Sequence, residues 1–396
     1  MLTPADDFPI HQTPEPVAHP ATSDRNAYDR YWFNGYDRDG AFYFAFAHGL
    51  YPNRFVADAH FTVSVDGVQH SLHASRRAPQ DRFDLTVGPL GIEVVEPLKV
   101  LRIYASDNET GLTCDLTFTA RAAVIEEPRV TTRNGHHVIM DATRLTQLGV
   151  WSGTITLPGG REIAVDPTTT LATRDRSWGI RPVGERDAGA PKPFNPMMWL
   201  WAPIHWENEV TLWGSFERAD GEMYQKDGHR MVAQPLGTVP DTAALALPTD
   251  GADAIGYTEL HPVRHELTFV PGTRRVAGGT MHLVDAEGKE FAYRIEPLGT
   301  RGLLAGLGYL HGKWAHGIWQ GELAVEGESW VVDEVDPLAF DRQHQQQVIR
   351  VTEIGGEGRV GVGVLEQIVF GPHERYGFQE ILDGATETGL GAGAVE

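Results

Sequence analysis

The chain of 396 residues carries 33 Lys and Arg against 54 Asp and Glu, a formal net charge of −21 that repels phosphate backbones and anionic lipid and sets nucleic-acid binding aside. Hydrophobic residues at 41% and charged residues at 22% suit a chain that buries a core, which excludes wholesale disorder. A single cysteine, Cys114, excludes an intramolecular disulfide and any zinc site built on several cysteines.

In chain order, residues 1–25 are Pro-rich and polar, lack the apolar core of a signal peptide, and read as a flexible N-terminal arm or a strap laid over the fold. No run approaches the roughly 18 apolar residues of a membrane span, so integral insertion is not expected and the cytoplasm is the expected compartment. Phe42-Tyr43-Phe44-Ala45-Phe46 is a β-rich aromatic run. Phe61 to Val65 alternates apolar with polar up to Asp66-Gly67, and Val68, His70 and Leu72 follow, so 61–73 predicts a hairpin with a two-residue turn. Strand-like runs recur at 83–87, 91–95, 99–105, 112–120, 153–157 and 161–165. Helical candidates are two: Ile139 to Leu148, with helical spacing at Met140, Leu145 and Leu148, and the polar stretch Asp341 to Val348. Residues 235–257, rich in Ala, Gly, Pro, Thr and Asp, read as the connection between two halves. Strand texture resumes at 265–269, 279–283, 290–295, 317–325, 329–332 and 360–370, and the aperiodic glycines after Asp383 predict a frayed tail. This punctuation predicts an all-β chain of two antiparallel barrel-like halves with few short helices, divided at 26–240 and 241–385 with a disordered tail at 386–396.

Three clusters concentrate chemistry. The first is Arg174-Asp175-Arg176-Ser177-Trp178-Gly179-Ile180-Arg181. Alternation along an extended segment puts Arg174, Arg176 and Trp178 on one side and Asp175 and Ser177 on the other. Facing a barrel interior, Asp175 would be desolvated, its pKa raised, and its carboxyl suited to act as a general acid; paired with the arginines it would be a structural ion network instead. The second cluster gathers Trp199, Trp201, Trp206 and Trp213 with His205 and Glu207, followed by Tyr224, Lys226, Asp227 and His229. Such aromatics line a pocket for an apolar ligand or shield a cation with their ring faces, or else fill the core. The third, Gly308 to Gly317, holds His311, Trp314 and His316 among glycines that argue against a helical metal pair. No Gly-rich phosphate loop, Gly-x-Ser-x-Gly elbow or His-Glu-x-x-His motif occurs, and neither a metal nor a cofactor is expected.

The segment Asp175-Arg176-Ser177-Trp178-Gly179 resembles the Tyr-x-Asp-x-Asn-Trp-Gly type motif of the carotenoid 1,2-hydratase (hydroxyneurosporene synthase) superfamily. The resemblance implies two lipocalin-like β-barrels in tandem, and it implies that Asp175 protonates a carbon–carbon double bond. Thr173 stands where that family has its tyrosine and Ser177 where it has its asparagine, so the neighbours of the acid differ. The leading expectation is an enzyme acting by proton transfer, of hydratase, dehydratase or cyclase type, on an isoprenoid- or polyketide-like molecule. Asp175, Arg176 and Arg181 are its candidate catalytic residues, and Trp178, Trp201, His205, Trp206, Tyr224, His311 and Trp314 its candidate substrate contacts. A lipocalin-like carrier and a carbohydrate-directed protein using Glu207 and Asp227 are the alternatives, and the exposed aromatics leave a homo-oligomer open.

Overall fold

The structure is a computed structural model and describes residues 2–3, 6, 9–184, 190 and 194–394. Parts of the expected N-terminal arm and the last two residues of the expected tail lie outside that set. The chain runs through β1 (Ala27–Asp37), β2 (Phe42–Tyr51), β3 (Val56–Val65), β4 (Val68–Arg77), β5 (Thr86–Val87), β6 (Leu90–Glu96) and β7 (Val100–Ala105). It continues through β8 (Thr113–Ala120), β9 (Ile125–Asn134), β10 (His137–Thr156), β11 (Glu162–Val165) and β12 (Thr170–Ile180). Next come β13 (Met197–His205), β14 (Glu209–Glu217), β15 (Met223–Val232), β16 (Tyr257–Phe269), β17 (Val276–Val284) and β18 (Glu290–Leu303). The last are β19 (Leu323–Val331), β20 (Gln345–Ile354) and β21 (Val360–Phe370).

Among the described residues, thirteen strands make one antiparallel sheet in the order β19-β4-β3-β2-β1-β12-β10-β8-β7-β6-β5, with β9 and β11 paired to β10. It nearly closes on itself: a side chain at Gly88, between β5 and β6, would touch Ala74 of β4 and Leu323 and Val325 of β19. The second unit is a closed barrel, β13-β14-β15-β16-β17-β18-β20-β21. The expected all-β, tandem-barrel class is therefore the observed one, and β19 ties the halves together by leaving the barrel's stretch of chain to pair with β4.

The run at 42–46 lacks alternation because β2 is buried on both faces. Phe42, Phe44 and Phe46 enter the core of the large sheet, while Tyr43, Ala45 and Ala47 face the barrel and pack in the junction with Trp199, Trp201 and Val364. Trp32 meets Trp201 edge-on at 5.8 Å in that junction, an arrangement contributing about 0.5–1.5 kcal/mol beyond its buried area. The junction also carries a polar tie. Asn34 Nδ2 and the Tyr43 hydroxyl both donate to Gln346 Oε1, at 2.8 and 2.9 Å. The predicted hairpin is β3–β4, with Asp66 (φ 51°) and Gly67 (φ 77°) both left-handed, as a type I′ turn requires.

Several expectations are corrected. Ile139 to Leu148 is not helical but part of β10, whose pairing with β9 shifts register between Val138 and Met140 and again between Ala142 and Arg144. Those bulges break the period of two and produce the spurious helical spacing. Asp341 to Val348 is a short 3-10 turn, Phe340–Arg342, followed by β20. The change from sheet to barrel falls between Ile180 and Met197, whereas 235–257 joins β15 to β16 within the barrel. The described part of the tail is packed: Phe269 N donates to Gly389 O (2.8 Å) and Gly391 N to Tyr376 O (2.7 Å). A Cβ at Gly391 would sit 2.3 Å from Gly377 O, so glycine there permits close backbone approach and does not signal fraying. Within the N-terminal stretch, the carbonyls of Val17 and Ala18 accept from Arg82 and those of Thr22 and Asp24 from Asn53, which makes it a strap. Among the described residues no helix is long and apolar enough to cross a membrane.

Candidate active site

β12 lies between β1 and β10, so its side chains alternate strictly between the two faces of the large sheet. Arg174 points into that sheet's own core, where its Nε donates to Gln147 Oε1 (2.8 Å) and its guanidinium lies over Phe118 (5.6 Å). Asp175 and Ser177 point the other way, into a cavity of about 700 Å³ bounded by both the sheet and the barrel. The acid thus faces the junction, not the interior of either unit. Glu127 of β9 and Arg144 of β10 share its wall, Trp199 of β13 and Glu366 of β21 form the facing wall, and Tyr309 and His344 close the space between.

Burial pushes the Asp175 carboxyl from an ordinary 3.8 up to about 6, with Glu127 adding to the rise and Arg144, Arg181 and Arg30 opposing it. Arg144 is largely committed elsewhere: its Nη2 donates to Glu127 Oε2, its guanidinium lies 5.4 Å over Trp199, and its Nε stays 3.8 Å from Asp175 Oδ2. Glu366 meets the opposite environment. Burial works to raise it, but donors at His344 Nε2 (2.7 Å), Gln346 Nε2 (2.6 Å) and Trp199 Nε1 (3.1 Å) hold it below the usual carboxylate range. Two of the carboxyl groups lining this cavity are thereby driven toward different protonation states, Asp175 toward the neutral acid and Glu366 toward a fixed anion. Tyr309 stands between them, its ring edge-on to His344 (4.4 Å) and to His316 (4.5 Å), and burial raises its hydroxyl pKa.

Of the candidate catalytic and substrate-contact residues chosen from sequence, Asp175, Arg181, Trp201, Tyr224 and His311 line this cavity. The others do not. Arg176 turns to the opposite face, paired with Asp29 and lying 4.2 Å over Tyr31, and Trp178 beside it is 41% exposed. His205 is buried outside the cavity, its Nε2 donating to Ala172 O (3.2 Å) while Nδ1 accepts from Arg121. Trp206 fills the barrel core and donates to Thr211. Trp314 stacks on His73 at 5.4 Å and donates to Glu326. Glu207 is exposed, away from the aromatic wall.

Sequence reasoning missed Glu127, Arg144, Tyr309, His344 and Glu366. Glu366 carried a usable signal, a lone carboxylate inside the apolar run Val360–Phe370. Trp199 shares the alternation of Trp201, which places both on the junction side of β13. Glu127 and His344 had no local mark.

His73, His311 and Glu328 bring ligand-type atoms within 4.8 Å of one another. Backbone N–H groups of Lys313 (3.0 Å) and Trp314 (2.8 Å) donate to His311 Nδ1, so the neutral ring carries its proton on Nε2 and donates it to Glu328 (3.1 Å). That tautomer leaves no lone pair for a metal. The cluster is a clasp holding the cavity-lining loop before β19 to β4 and β19.

A family model described as a family of unknown function (DUF8625) matches residues 2–379. No curated protein matches the sequence significantly. The crystal structure of kievitone hydratase from Nectria haematococca superposes with a TM-score of 0.51 at 12% identity, covering 86% of this chain and 88% of that one. That of CghA with Sch210972 gives 0.50 at 12% identity, covering 87% and 89%. The likeness is one of fold, two barrel-like β units in tandem.

Proposed function

The chain belongs to this family of unknown function (DUF8625), and we propose that it is an enzyme transferring a proton to a hydrophobic small molecule held between sheet and barrel. The observation that carries the reading is a carboxyl group, Asp175, raised to about 6 on the wall of a cavity across which the carboxylate of Glu366 is held ionised. A general acid works best when its pKa lies near the operating pH. Protonated Asp175 would deliver its proton to a carbon–carbon double bond, and the electron-rich faces of Trp199 and Tyr309 would stabilise the cation that forms. Water adding to that cation and returning a proton to Asp175 completes a hydration, and the reverse is a dehydration. Attack by a second double bond and loss of a proton completes a cyclisation. Kievitone hydratase shares the fold, and its name suits a reaction that adds or removes water; the apolar, aromatic lining suits a substrate of isoprenoid- or polyketide-like character.

The test begins with native mass spectrometry and organic extraction of the purified protein. Wild type and Asp175→Asn are then incubated with the compounds recovered. Conversion by wild type alone, seen as gain or loss of one water or as isomerisation without mass change, supports the reading. Retention of an unchanged ligand by both proteins rejects it in favour of a carrier using the same cavity.

A further inference from the structure

Among the described residues two arginines line the cavity, and they differ in one respect. Arg144 is neutralised by Glu127. Arg181, just past the end of β12, has no carboxylate within ion-pair distance and no side-chain hydrogen bond among the described residues. Its guanidinium is held by faces: the rings of Tyr28 and Tyr309 lie 5.5 and 5.9 Å away. Aromatic faces stabilise the charge but accept no in-plane hydrogen bonds, so the N–H donors of the planar fork remain unused. Nearby Arg30 is buried outside the cavity lining, where His316 Nδ1 accepts from its Nη1 at 3.0 Å. Leaving a guanidinium without an acceptor in a largely apolar site is costly, and an oxygen anion of matching geometry removes that cost.

We propose that Arg181 docks an oxyanion of the ligand, a carboxylate, enolate or phenolate, so that the substrate is an amphipathic anion whose apolar body lies along the Trp199 and Phe216 wall. The ring of Phe216 is 4.2 Å from that of Trp199 and 6.0 Å from that of the half-exposed Tyr224, and this aromatic row gives the body a path toward the cavity mouth. An anion at Arg181 has a second effect, because it cancels one of the charges that keep Asp175 ionised. Anchoring the substrate would therefore also favour the proton-loaded state of the acid. The proposal rests on the cavity described above, while its first half needs no turnover.

The experiment measures binding of decanoate and of decanol by isothermal titration and tryptophan quenching at pH 8. The proteins are wild type, Arg181→Met, Arg181→Lys and Asp175→Asn. Wild type is expected to prefer decanoate by about tenfold or more, the size of a charge-assisted hydrogen bond. Arg181→Met should abolish that preference while still binding decanol, and Arg181→Lys should keep part of it. Equal affinity for both probes in wild type, binding of neither, or an undiminished preference in Arg181→Met overturns the proposal. Should Arg181→Met lose decanol as well, Arg181→Lys decides by the same preference. Asp175→Asn separates the two ideas: it should bind decanoate at least as well as wild type, and any turnover it retains counts against the acid and not against the anchor.

Discussion

Replacing Asp175 by Asn should stabilise the protein at neutral pH while abolishing its chemistry. The carboxyl is raised from 3.8 to about 6, so between those values the folded state binds a proton that the unfolded chain has released. Stability therefore falls as pH rises through this window, by about 3 kcal/mol once both states are ionised. Asn carries no charge to desolvate and escapes that loss. With an unfolding entropy of about 2.1 cal/mol/K per residue, spread over 396 residues, 3 kcal/mol corresponds to a melting shift of about 3–4 °C. Thermal melts of both proteins from pH 4 to pH 8 check it: the curves should nearly coincide at pH 4, separate as the pH rises to 6, and stay apart by a nearly constant gap above it, with the variant higher. A variant that melts at or below wild type at pH 8, or a gap that does not change with pH, refutes the raised acid and the catalytic reading built on it. Activity of the wild type should in turn fall about tenfold per pH unit above 6, as the proton leaves Asp175.

Gln346→Leu should lower stability by about 3 kcal/mol or more, since it strips partners from buried Asn34, Tyr43 and Glu366 at once; denaturant titration measures this. Glu328→Gln should loosen the loop that carries Tyr309, seen as faster amide exchange at 308–317, at a cost of about 1–3 kcal/mol. The wild-type contribution has its own window. Burial favours a neutral Glu328, but donors at His311 and His73 hold it at about 2, so the stabilisation is present above 4.5 and is lost as pH falls toward 2. Gly67→Ala should cost about 1 kcal/mol by thermal melt: the residue is left-handed at φ 77°, and nothing lies within 4 Å of the added methyl, so the whole cost is backbone.

The hairpin at Asp66-Gly67 was legible because turn chemistry and alternation are local. So was the side of β12 shared by Asp175 and Ser177, since a strand alternates whatever it packs against. The helical reading of 139–148 failed because bulges in β10 are imposed by pairing with β9, and the expected boundary near 240 failed because loop composition does not reveal which sheet the flanking strands join. Equally hidden was the face of each tryptophan that meets a ligand: Trp199 and Trp201 point to the junction, while Trp206 fills the barrel core. By itself, then, the sequence determined an all-β chain, one hairpin and a carboxylate set apart from its flanking arginines. Only the tertiary structure decided that this carboxylate faces a cavity at the junction, because Glu127, Arg144, Trp199, Tyr309, His344 and Glu366 come from distant stretches of chain that share no local pattern and meet only when the sheet closes against the barrel.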